Sequence, residues 1–323
     1  MSQEKSPKEP KFRNSVKLVG YLKETTLQER TSKDGKQFIT GTVTVAINEF
    51  NTQRVRFTAF KEDNETKYEE LSKFLPSKTV TIASYLQSTP TAVFETASKM
   101  AAKVWVMAGF EEYAVRKGEN ERTSVLLRGY TIGASDPQKN FIPSATFEVD
   151  VYLKDIQKEV EDDVETGRLL IETVVPAYND LVYVLPLVAP VEDNTAKFIL
   201  EKYKVGETVR FSGDLVAMKV EEPAETTDNN HLDGFGRATE PQVTTHFVRE
   251  YVIRGGIKQE KLILSTETVK KGMAKRDVLM VENGKRENKS KDGNAVKTET
   301  AAPAEAKPAP AKKVVDTNGD FDF

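Results

Sequence analysis

The chain has 323 residues and carries 47 Lys and Arg against 50 Asp and Glu, a formal net charge of −3. It has no cysteine and only two histidines, His231 and His246, which excludes disulfides, thiolate metal centres and a zinc site built from histidine alone. No apolar run approaches the roughly 20 residues of a membrane span, and the opening MSQEKSPKEPKFR lacks the apolar core of a signal peptide, so a soluble protein of the reducing cytoplasm is expected.

Charge is unevenly distributed along the chain. Residues 1–135 carry 21 Lys and Arg against 16 Asp and Glu, whereas residues 136–283 carry 18 against 27. A polyanionic partner would therefore go to the first half.

After an unstructured arm over 1–14, apolar and polar residues alternate in short runs rich in Val, Ile, Thr and aromatics, the pattern of half-buried strands. These runs are Val16–Leu22, Phe38–Ile47, Arg54–Phe60, Thr79–Ala83, Lys103–Met107 and Ser124–Tyr130. One helical segment, Lys67–Leu75, interrupts them and is stopped by Pro76; its Tyr68, Leu71, Phe74 and Leu75 share a face. Three strands, a short helix and two more strands is the order of an OB-fold, a small five-stranded barrel, here over 15–135. Trp105, within Val104-Trp-Val-Met, reads as core rather than as a stacking platform, and Tyr85 stays open between the two roles.

The same plan recurs over 136–257 in Phe147–Leu153, Leu169–Val175, Leu181–Leu187, the helical Ala196–Tyr203, Glu207–Gly213 and His246–Ile253. A polar loop, Glu221–Thr244, separates its last two strands. The expected architecture is all-β, two tandem OB-fold barrels. Residues 258–283 carry no assigned element. Residues 284–315, rich in Lys, Ala, Glu and Pro, read as a disordered linker, because they cannot offset the entropy of ordering themselves. The last eight residues, Asp316-Thr-Asn-Gly-Asp-Phe-Asp-Phe323, form an acidic tail ending in exposed rings, suited to a basic, apolar pocket on a partner protein.

The first half resembles the bacterial and phage single-stranded DNA-binding proteins. Val16-Lys-Leu-Val-Gly-Tyr-Leu is similar to that family's opening strand, Arg54-Val-Arg-Phe-Thr-Ala-Phe to its third strand, and Arg116-Lys-Gly-Glu-Asn-Glu-Arg-Thr to the tip of its DNA-wrapping hairpin. The family also ends in an Asp-rich tail that closes on Phe. The resemblance covers residues 15–130 and 316–323. It implies single-strand binding through Arg56 and Phe60, with Tyr113 where the family has a stacking tryptophan, and recruitment of a polymerase, helicase or nuclease through Asp316, Asp320, Phe321, Asp322 and Phe323. Three departures stand out. Arg54 replaces a stacking Trp, residues 87–103 interrupt the fourth strand, and a second barrel follows the first. The resemblance leaves the oligomeric state open, a homo-oligomer included.

Binding single strands without sequence preference needs a cationic groove for phosphates and flat side chains on which bases stack. Alternation puts Arg54, Arg56 and Phe60 on one face of their strand, opposite Val55, Phe57 and Ala59. On the first strand Lys17, Tyr21 and Lys23 oppose Val16, Leu18 and Leu22, and Arg30, Lys33 and Lys36 surround the Asp34-Gly35 turn. Arg116, Lys117 and Arg122 complete the set on the hairpin. An arginine plane can also stack on a base, so Arg54 can stand in for the missing tryptophan.

No phosphate-binding Gly-x-x-x-x-Gly-Lys-Ser/Thr loop, dinucleotide glycine fingerprint, histidine metal pair or Gly-x-Ser-x-Gly elbow occurs, so neither catalysis nor a cofactor is expected. The leading expectation is a phage-encoded protein that coats single-stranded DNA in replication, recombination or repair. Two alternatives stay open: an adaptor that uses both barrels for protein contacts, and an RNA-binding OB-fold protein.

Overall fold

Period-two alternation builds most of this chain into strands, and the burial pattern follows it closely. In β4 (Thr52–Phe60) the residues Gln53, Val55, Phe57 and Ala59 are buried while Arg54, Arg56 and Thr58 are exposed. The structure, a computed structural model, describes residues 11–88, 93–135, 141–161, 163–223 and 243–292. The tail 316–323 and most of the linker expected from the sequence lie outside these residues, as do residues 224–242 of the expected loop Glu221–Thr244, whose ends belong instead to strands reaching Pro223 and starting at Val243.

The first half contains β1 (Asn14–Thr25), β2 (Gln28–Thr31), β3 (Gln37–Ala46), β4, α1 (Glu65–Ser72), α2 (Ile82–Ser88), α3 (Phe94–Met100), β5 (Lys103–Lys117) and β6 (Asn120–Ala134). Its strands pair in the circuit β1-β3-β4-β6-β5-β1, antiparallel except for a short parallel contact of Val55 and Arg56 with Leu127 and Arg128. α1 sits between β4 and β5. Asn64 caps it by accepting from the Lys67 N–H at 2.9 Å, and Leu71 is buried beneath it. Gly129 is required inside the circuit, since a Cβ there would overlap the ring of the buried Phe57.

The second half repeats the circuit. β7 (Ser144–Glu161), β8 (Val164–Pro176), β9 (Val182–Ala189), α4 (Thr195–Lys202), β10 (Thr208–Pro223) and β11 (Val243–Lys258) pair as β7-β8-β9-β11-β10-β7, with a parallel contact at Val252 and Val188. A long helix, α5 (Thr266–Asp292), follows.

β1 joins the halves. One edge pairs with β5; the other pairs with β7 through Asn14–Val19 and with β3 through Tyr21–Thr25. Among the described residues, the eleven strands thus form one sheet, and one buried cluster runs through both rings. Phe110 of β5 meets Phe147 at 5.8 Å and Tyr251 at 5.1 Å, both edge-on and both from the second ring. Polar pins add to this junction. The fully buried Asp150 carboxylate accepts two bonds at 2.8 Å from the Arg210 guanidinium and one at 2.6 Å from the Arg13 N–H.

Two segments depart from the sequence reading. Thr79–Ala83, expected as a strand, instead leads into α2, whose Ile82 is buried with Ala46, Ala97 and Ala101. The expected fourth strand begins only at Lys103, after α3. The unassigned stretch 258–283 becomes most of α5, and that helix continues through residues 284–292, where an unstructured linker was expected. Tertiary contacts override the local composition: Asn283 Nδ2 donates to the Ala114 carbonyl at 3.0 Å, and Gly284 lies so close to the Arg116 carbonyl that a Cβ would overlap it.

Candidate nucleic-acid interface

The outer face of β2, β3 and β4 combines flat rings with cations. Phe38 on β3 is the register partner of Phe60 on β4, and their rings stack with centroids 5.0 Å apart at 26°. Arg30 on β2 is in turn the partner of Phe38, which places a guanidinium at the end of the aromatic row. Farther along, Thr40 and Thr58 pair across the strands, as do Thr42 with Arg56 and Thr44 with Arg54. The side chains between the charged and aromatic ones are therefore small threonines, which leave the rings and guanidinium groups standing above the sheet.

Several residues singled out from sequence converge here. Arg54, Arg56 and Phe60 project from β4; Arg30 joins them from β2, held by a 3.0 Å bond to Gln28 Oε1. Lys33 and Lys36 lie in the adjoining turn, where the Lys36 N–H donates to Ser32 Oγ at 3.1 Å and the Lys36 ammonium pairs with Glu62 at 3.3 Å. Lys23 sits at the irregularity where β1 meets β3. Phe38 was missed, because Phe38-Ile39 reads as an apolar pair at a strand start; its alternation with Thr40, Thr42 and Thr44 is the signal that could have found it.

Others are placed elsewhere. Tyr21 packs edge-on against Phe94 at 6.0 Å and Phe141 at 5.1 Å, in the cluster that seats α2 and α3 on β1. Its ring is spent on packing the insertion. Lys17 is exposed on the stretch of β1 that lies between β5 and β7, away from β4. Tyr113, Arg116, Lys117 and Arg122 occupy the β5–β6 hairpin, and α5 runs alongside it. Arg116 is engaged with Glu121 at 2.6 Å and Asp277 at 3.5 Å. Deeper in, Glu112 accepts two bonds from Arg276, at 2.6 and 2.7 Å, and a third at 3.0 Å from the Val184 N–H. This pair is nearly buried, and the carboxylate holds the Arg276 guanidinium above its ordinary pKa. The hairpin is thereby fixed to both α5 and the second ring.

The matching face of the second ring, on β8 and β9, has different chemistry. Glu172, paired with Lys154, stands opposite Pro186; Leu170 is exposed, and Val174 is buried with Leu264 and Val269. Arg168, on the same face of β8, is engaged by Glu159 at 3.5 Å and by Glu250 rather than standing beside a stacked ring pair. Among the described residues no group of three or more His, Cys, Asp or Glu could hold a metal ion, and no helix is long and apolar enough to cross a membrane. The tail residues Asp316, Asp320, Phe321, Asp322 and Phe323 lie outside the described residues.

The model of the YorF family matches residues 13–289. No curated protein matches the chain. Among solved structures, it is similar to the wild-type single-stranded DNA binding protein from Thermus aquaticus, with TM-score 0.43 and 12% identity, covering 78% of this chain and 95% of that one. A deletion mutant of the same Thermus aquaticus protein gives TM-score 0.43 and 11% identity, covering 77% and 95%.

Proposed function

We propose that this chain, which belongs to the YorF family, is a single-stranded DNA-binding protein whose two strand circuits are tandem OB-fold barrels, the first of which holds the DNA. The observation that carries this reading is the stacked Phe38/Phe60 pair, flanked by Arg30, Arg54 and Arg56 on one outward face. Bases stack on such rings at about 1–3 kcal/mol each, and guanidinium groups hold the phosphates between them. Stacking and phosphate contacts engage features common to every nucleotide, so binding is expected to be tolerant of sequence.

In this reading the protein has no catalytic step of its own. It coats exposed strands in the cytoplasm of a phage-infected cell during replication, recombination or repair, and residues 316–323 recruit a polymerase, helicase or nuclease. The partly covered face of the second ring, with Leu170 exposed and Glu172 paired with Lys154, supports a role for that ring in positioning or protein contacts. The test is titration of a fluorescent oligo-dT across a salt series, beside duplex DNA and RNA of equal length. Tight binding selective for single strands is expected, with a log–log salt slope of several phosphate contacts at about 0.7 per contact. Absence of binding at low salt overturns the reading, and tighter binding to RNA reassigns the substrate.

A further inference from the structure

The Phe38/Phe60 face does not end at β4. The Cα partner of Arg56 on the next strand is Arg128 of β6, whose side chain is 65% exposed although Glu111 lies 3.6 Å from it. Two residues on is Tyr130, the extra residue of a β-bulge: Met107 pairs with Thr131 and Ala108 with Gly129, which leaves Tyr130 without an opposite number. Bulges re-aim a side chain, and this one turns the Tyr130 ring across β5, where the space is kept by Gly109; a Cβ there would overlap the tyrosine hydroxyl. The ring stays 47% exposed.

Its surroundings repeat the ingredients of the first site. Lys67 of α1 lines the same crevice as Tyr130, together with Glu70 and Thr131. Burial, and then the charge of Arg128, lower the Lys67 pKa, which sets the two cations on neighbouring ground. Glu70 borders the crevice, and Glu111 beside Arg128 leaves its head largely in solvent. On the far side stands Tyr183 of β9, next to Val184, whose N–H is bonded to Glu112. Arg128, Glu111 and Tyr130 all act on the Tyr183 hydroxyl, which places it beside them.

We propose that Tyr130 is a second base-stacking site with Arg128 as its phosphate contact, so that a bound strand runs from Phe38 and Phe60 across Arg56 and Arg128 and reaches Tyr183 of the second ring. This rests on single-strand binding as proposed above. It makes the second ring one wall of the path.

The test compares a short oligo-dT of about 8 nucleotides with a long one of about 16, the range that one to two such sites accommodate. Tyr130→Ala is expected to weaken the long oligonucleotide on the order of tenfold while changing the short one by less than about twofold, with Tyr130→Phe restoring wild-type binding. As a second variant, Arg128→Gln is expected to lower the salt slope by about 0.7 for the long oligonucleotide only. Equal losses at both lengths, or none at the long one, would overturn the second site. Failure of the unsubstituted protein to bind either length would instead overturn the underlying reading.

Discussion

Phe38 and Phe60 owe their pairing to register, and so does Arg30 beside them. A Phe60→Ala substitution removes half of the stacked pair from an outward position, so it is expected to weaken oligo-dT binding by about 1–3 kcal/mol while leaving thermal stability nearly unchanged, measured by titration and melting in parallel. Asp150 is the opposite case. Its buried carboxylate joins Arg13 to Arg210, and Asp150→Ala leaves the Arg13 N–H unpaired and Arg210 with only Glu148 at 3.7 Å, at an expected cost of about 1–3 kcal/mol in urea unfolding. The outward set on β4 was legible in sequence because a period of two sorts Arg54, Arg56 and Phe60 from Val55, Phe57 and Ala59 without further information. Tyr21 was not, since its covering rings Phe94 and Phe141 come from segments more than seventy residues away. Arg116 was legible only in part: Glu121 faces it across the same hairpin, but its second partner, Asp277, comes from a helix that local composition scarcely marks.

At the scale of elements, α5 is the part least evident in the sequence. It is long and polar, and its apolar contacts are sparse, so tertiary pins decide its position. Near its start, Lys271 and Lys275 each reach Asp180 at 3.2 Å, and these bonds hold the Asp180 carboxyl below the usual aspartate range. Because the folded value lies below the unfolded one, this contribution is present above the ordinary value near ~3.9 and is lost as pH falls through the folded value. Acidification below about pH 4 is therefore expected to lower the hydrogen-exchange protection factors in the first turns of α5, and Asp180→Asn to remove that pH dependence; an unchanged profile in the variant would count against the pin. The strands, in contrast, were largely readable, apart from Thr79–Ala83. There the β-branched run Thr-Val-Thr leads into a helix that starts at Ile82, which packs beside Ala46, a contact invisible to local pattern.

For the molecule as a whole, two rings of the same circuit share one sheet through β1 and one buried core through Phe110, yet they present different chemistry on equivalent faces. The split in charge between residues 1–135 and 136–283 was the first sign of this, and the structure ties it to named side chains: Arg54 and Arg56 on one ring, Glu172 and Pro186 on the other. Such a division of labour follows when one barrel holds the polyanion and the other shapes its path. Photo-cross-linking to oligonucleotides containing iododeoxyuridine, followed by mass spectrometry of the adducts, is the most direct measurement of where the strand lies. Adducts on Phe38 and Phe60 are expected to dominate. Adducts confined to the second ring, or to the hairpin at Tyr113, would contradict the assignment of the binding face.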